Sequence, residues 1–139
     1  MNHIRHMTPS DATAVSALIG ASWVSTYGPL MGTERAVAES AKKHQPEMIA
    51  TDLGRAHSES FVAEAPDGAI VGYAYAMVEK GVLWLDRLHV APAEQGKGLA
   101  RDLLHAVIAS YVGEQTILLE VLKGNDRAIA FYQREGFIV

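Results

Sequence analysis

Gly96 and Gly98 stand two residues apart, between an apolar run that ends at Val90 and a helix-period run that opens at Leu99. Glycines at such a place clear side chains from a turn. The unpaired backbone N–H groups of the following helix start can then converge on an anion, phosphate above all. Two carboxylates are placed to move a proton. Glu120 lies within Thr-Ile-Leu-Leu-Glu-Val-Leu, residues 116–122, where partial burial would raise its pKa toward that of a working base. Its alternative reading is a solvent-facing or arginine-paired strand carboxylate. Asp86, on the run that leads into the glycines, is the rival base, and Arg87 beside it offers a plain ion pair. His3, His6, His44, His57, His89 and His105 include no i, i+4 pair, and the chain has no cysteine. No metal site is therefore expected, and disulfides and a cysteine nucleophile are excluded.

The elements that must position these groups are legible in order. Residues 4–7 read as a short strand, followed by a helix start with Thr8 as N-cap, Pro9 at the first helical position and Asp11 answering the cap. Val15, Leu18, Ile19 and Trp23 recur at helical spacing, and the helix is expected to end near Tyr27-Gly28-Pro29. A second helix over residues 34–43 carries the solvated charges Glu34, Arg35, Glu39, Lys42 and Lys43. Pro46 closes it or starts a further short turn through Met48, Ile49 and Leu53. From Ser60 the texture changes to strand: Asp67-Gly68 and Lys80-Gly81 are turns of an antiparallel meander whose last strand, residues 82–90, delivers the backbone to the glycines. Ala100, Leu103, Leu104, Val107, Ile108 and Tyr111 mark an amphipathic helix ending near Gly113. Residues 116–122 form a buried-type strand, parallel to the preceding one because a helix joins them. A last helix opens at Asn125-Asp126.

The bulk numbers narrow the class. At 139 residues the chain suits one domain over 1–139. A net charge of −4 argues against nucleic acid. The polar N-terminus and the lack of any apolar run near the roughly 18 residues of a bilayer span support neither export nor a membrane partner, and cysteine-free composition suits a reducing cytoplasm.

The glycine stretch fails two nucleotide motifs. A Walker loop needs Ser or Thr after Gly-Lys, and Lys97 is followed by Gly98; the dinucleotide pattern begun at Gly96 has Arg101 in place of its third glycine. Gln95-Gly96-Lys97-Gly98-Leu99-Ala100 instead resembles motif A, Q/R-x-x-G-x-G/A, of the GCN5-related N-acetyltransferases (GNAT). Leu88-His89-Val90-Ala91-Pro92 resembles the strand and bend before that motif. Asn125, Ala128, Tyr132 and Gly136-Phe137 match motif B, N-x-x-A-x-x-x-Y-x-x-x-G-F.

The resemblance implies acetyl-CoA as donor co-substrate, a primary amine as acceptor, and direct transfer without a covalent enzyme intermediate. It places backbone groups of Leu88, His89 and Val90 along the pantetheine arm and the amides of Gln95, Gly96, Lys97, Gly98, Leu99, Ala100 and Arg101 on the diphosphate. Asn125, Ala128 and Tyr132 would meet the arm and the sulfur, with Tyr132 returning a proton to the departing thiolate. Lys97 and Arg101 would lie near phosphate. Glu120, twelve residues before Tyr132, has the spacing of the strand base in the ribosomal-protein alanine N-acetyltransferase branch. Trp23, Tyr27, Tyr73 and Tyr75 either shape the acceptor pocket or fill the core. The alternatives are a non-catalytic acyl-CoA-binding or regulatory module, and an acetyltransferase acting on a protein N-terminus or lysine rather than on a small amine.

The implied fold is α/β: a mixed, mainly antiparallel sheet flanked by helices and splayed between its fourth and fifth strands. Members of the family carry one or two further strands after Gly136-Phe137, which here are short or missing. An open strand edge at that point predicts a homodimer.

Overall fold

The computed structural model describes residues 2–111 and 116–139. Among the described residues, five strands form one sheet in the order β1 (His3–His6), β2 (Ser58–Glu64), β3 (Ile70–Glu79), β4 (Val82–Val90), β5 (Ile117–Leu118). The first three pairings are antiparallel and β4 with β5 is parallel. Helices α1 (Ala12–Met31), α2 (Thr33–Lys43), α3 (Pro46–Leu53), α4 (Leu99–Ser110) and α5 (Asp126–Arg134) flank the sheet. The mixed, mainly antiparallel α/β fold expected from the sequence is the fold observed. Among the described residues no helix is long and apolar enough to cross a membrane.

Strand alternation sends side chains to two separate cores. Phe61, Ala63, Ala74 and Ala76 pack with Leu99, Leu103, Leu104 and Val107 of α4 on one face. Val62, Tyr73 and Tyr75 pack with Val15, Leu18 and Ile19 of α1 and Ile49 of α3 on the other. The helix start at Thr8 forms as expected, the Thr8 N–H donating to the Asp11 carboxylate at 2.8 Å. Arg5 grips that carboxylate with both terminal nitrogens, at 2.8 and 3.0 Å, and so ties β1 to the entrance of α1.

Three expectations need correction. Helix α1 does not end near Pro29: it carries that proline and stops at Gly32, whose φ of 92° suits glycine and whose N–H donates to the Gly28 carbonyl at 2.8 Å. Proline removes one donor, but flanking turns supply enough bonds to carry the helix two residues further. Helix α4 ends at Ser110, and Gly113 lies outside the described residues. The fifth strand is two residues, not seven, because only Leu83 and Trp84 of β4 stand opposite it. Of the two readings open for Tyr73 and Tyr75, the core holds, since both are fully buried there.

Gly72 on β3 shows how closely α4 sits on the sheet. A Cβ there would lie 2.8 Å from Leu103 Cδ1, 3.2 Å from Ala63 Cβ and 3.3 Å from Leu99 Cδ2. Valine suits a strand better than glycine, so a substitution cost at this position isolates packing from local preference. Gly72→Val is expected to destabilise the fold by about 1–3 kcal/mol, seen as a drop of several degrees in the thermal midpoint; an unchanged midpoint would mean that α4 can retreat freely.

Candidate active site

Among the described residues strand β4 pairs with β5 only at Leu83 and Trp84, and its later residues present an edge with no strand beside it on that side. A bulge at Asp86 precedes this open stretch: Tyr75 stands opposite Arg87 and Ala76 opposite Leu85, leaving Asp86 without a partner on β3. The extra residue inverts the alternation. Leu83 and Leu85 face the α4 core, and beyond the bulge it is Leu88 and Val90 that do so. Arg87 and His89 are thereby turned toward α1. Arg87 lies over the Tyr75 ring at 5.2 Å and pairs with the largely buried Asp52 of α3 at 2.8 Å.

After Val90 a single 3-10 turn, Pro92–Glu94, leads into the glycines, with φ of 81° at Gly96 and 86° at Gly98. A Cβ on either would meet nothing within 4 Å, so glycine is needed there for the left-handed backbone and not for space. The first backbone bond of α4 runs from Asp102 N–H to the Gly98 carbonyl at 3.1 Å. The amides of Leu99, Ala100 and Arg101 thus precede the intrahelical ladder and carry the positive end of the helix dipole. This is an anion cradle.

A cleft of about 690 Å³ runs from this loop along β4 to α5 and α1. Of the thirteen residues assigned to the donor, twelve line it: Leu88, His89, Val90, Gln95, Gly96, Gly98, Leu99, Ala100, Arg101, Asn125, Ala128 and Tyr132. Lys97 is exposed beside it and pairs with Glu94 at 3.5 Å. Neither proposed base lines the cleft. Asp86 is exposed at the bulge, 3.8 Å from Arg87, and Glu120 is exposed on the irregular segment after β5. The expectation of a half-buried Glu120 rested on a seven-residue strand that the sheet does not accommodate.

The far end of the cleft is built by contacts across the chain. Asn125 accepts from the Ala128 N–H at 3.2 Å, capping α5, and its amide donates to the Tyr27 hydroxyl at 3.2 Å, joining α5 to α1. Tyr27 in turn packs on Trp23, ring centres 4.4 Å apart. Tyr132 is wedged edge-on between Phe131 and Phe137 at 5.0 and 5.5 Å. Burial, with a smaller contribution from Tyr27, pushes its phenol up to about 12, so it holds its proton at neutral pH. Ser22, Arg127 and Glu135 also line the cleft and were not singled out from sequence. Their signal is spatial: Ser22 meets His89 at 3.1 Å, Arg127 donates to Gln95, and Glu135 faces both Arg101 and His105.

A family model described as the acetyltransferase (GNAT) family matches residues 23–137. The chain belongs to the GNAT acetyltransferase family. It is 35% identical over 82 residues to the spermine/spermidine N(1)-acetyltransferase of Bacillus subtilis, a match covering 51% of this chain and 54% of that enzyme. It is 31% identical to the streptothricin acetyltransferase of Streptomyces lavendulae, covering 96% of this chain and 79% of that one. The chain spans about half the length of most curated relatives that it matches. Among solved structures, the PaiA N-acetyltransferase of Thermoplasma acidophilum in complex with coenzyme A superposes with a TM-score of 0.92 at 22% identity, covering 100% of this chain and 91% of that one. The ribosomal-protein alanine N-acetyltransferase of Escherichia coli does so with a TM-score of 0.75 at 23% identity, covering 99% and 78%. These likenesses establish the GNAT fold.

The histidines beside the cleft give a direct check. His89 is lowered to about 3 by burial, then by His44 and Arg87; His44 is lowered to about 4 by burial, then by Arg87 and Lys43. In the unfolded chain both titrate near the ordinary value of about 6.5. Between that pH and the folded values the unfolded state binds more protons, so this contribution to stability falls as pH drops through the window. An NMR titration should find both rings neutral at pH 5; a midpoint near 6 for either would refute their burial.

Proposed function

We propose that the chain moves an acetyl group from acetyl-CoA to an amine by direct attack. The observation that carries this reading is one continuous cleft holding three things in sequence: an amide-rich glycine loop, an unpaired strand edge and a phenol that stays protonated. A diphosphate suits the loop amides and the helix dipole. The open edge of β4 at Leu88, His89 and Val90 suits an amide-bearing arm laid beside it as a strand would be. The bound thioester supplies an acetyl carbon open to an amine lone pair and a thiol as leaving group.

The chain's own groups do the rest. A backbone N–H at the end of β4 stabilises the oxygen that gains charge during attack. Tyr132 donates its proton to the sulfur as the carbon–sulfur bond breaks, and the proton released from the new amide nitrogen leaves through the open mouth to water, from which the phenol is reprotonated. Glu120, exposed beyond β5, has no part in this proton path. The named relatives act on amines, spermine or spermidine in one case and streptothricin in another, and their chemistry supports a small amine as acceptor here.

Thiol release from acetyl-CoA against a panel of amines, spermidine included, tests the reading. Tyr132→Phe is expected to lower kcat on the order of 100-fold while leaving acetyl-CoA affinity within about threefold; Glu120→Gln is expected to leave kcat within about twofold. Tight binding of acetyl-CoA with no release against any amine would reduce the protein to an acyl-CoA-binding module.

A further inference from the structure

The cations around the glycine loop are not equivalent. Lys97 is paired with Glu94 at 3.5 Å and Arg101 with Glu135 at 3.6 Å, so each already has a carboxylate. Arg127, on the first turn of α5 across the cleft, has none among the described residues. Its Nη1 donates instead to Oε1 of Gln95, the residue that opens the loop, at 2.5 Å. An uncompensated guanidinium is thus held by a neutral amide, directly over the turn whose amides and helix dipole already favour negative charge. Both residues line the same cleft. A neutral carboxamide is a weaker partner than an anionic oxygen, and a guanidinium offers paired N–H groups that match phosphate oxygens.

We propose that Arg127 binds the diphosphate of the donor from the wall opposite the glycine loop, giving up Gln95 to do so. The loop amides then hold one side of the diphosphate and Arg127 the other. The Gln95 contact holds the arginine beside the residue that opens the loop, and a neutral amide is released at little energetic cost. This assignment rests on the reading of the cleft as an acetyl-CoA site, and adds a ligand that neither sequence motif contains: the position after Asn125-Asp126 is free to vary in motif B.

Donors of graded length separate the possibilities. KM and kcat are measured for wild type, Arg127→Gln and Arg127→Lys with acetyl-CoA, acetyl-dephospho-CoA and S-acetylpantetheine, the last lacking the diphosphate. Arg127 is exposed, and equal thermal midpoints establish that the variants fold. The expected result is a rise of ~10-fold in KM for Arg127→Gln with both nucleotide donors, with kcat and the KM for S-acetylpantetheine within twofold, and partial recovery in Arg127→Lys. The KM of wild type should also rise more steeply with salt than that of Arg127→Gln. A loss confined to acetyl-CoA would assign Arg127 to the 3′-phosphate and overturn the proposal. Equal losses on all three donors, or none, would overturn it as well. Failure of wild type to use or bind any of the donors would instead remove the acetyl-CoA reading itself.

Discussion

A strand edge that has lost its neighbour must find other partners for its backbone, and this requirement organises the molecule. Beyond Trp84 the N–H and C=O groups on one side of β4 have no strand to pair with among the described residues. Buried without partners they would cost several kcal/mol in total, so the space beside them has to remain open to water or to a polar ligand. The short β5 gives that opening its width. Helices α4 and α5 wall it on one side and α1 on the other, and the glycine loop closes its end.

The bulge at Asp86 decides what the opening is lined with. Leu83 and Leu85 before it, and Leu88 and Val90 after it, all serve the core beneath α4, although the two pairs are out of phase for an unbroken strand. The phase change frees Arg87 and His89 for the other face, where Arg87 is held by Asp52 and His89 by Ser22. A regular strand in phase with Leu83 and Leu85 would have sent both Arg87 and His89 into the apolar core. The local irregularity therefore preserves both cores and gives the cleft a polar flank.

Features carried by local chemistry were legible in the sequence. The meander turns at Asp67-Gly68 and Lys80-Gly81, the start at Thr8, helix α2 and the whole span of β4 follow from residues within a few positions of one another. The glycine loop belongs with them, because φ near 80° at two positions is a demand on residue type. The phase break across β4 is also written in the order Leu83, Leu85, Leu88, Val90, although it is easily passed over. Features set by distant partners were not legible. The length of β5 depends on how α4 returns the chain, and Glu120 looked half-buried only on the assumption of a full strand. Asn125 with Tyr27 and His89 with Ser22 join residues 98 and 67 positions apart, where periodicity carries no information.

The two cores share a sheet and little else. Helices α4 and α5 rest on one face, and α1 to α3 rest on the other. Substitutions on opposite faces, with no shared partners, should have nearly additive effects on stability. Selection can therefore remodel the α1 flank of the cleft while the glycine-loop side stays intact. Such a division lets one wall of the cleft diverge while the other is kept, so that a single scaffold can carry more than one specificity.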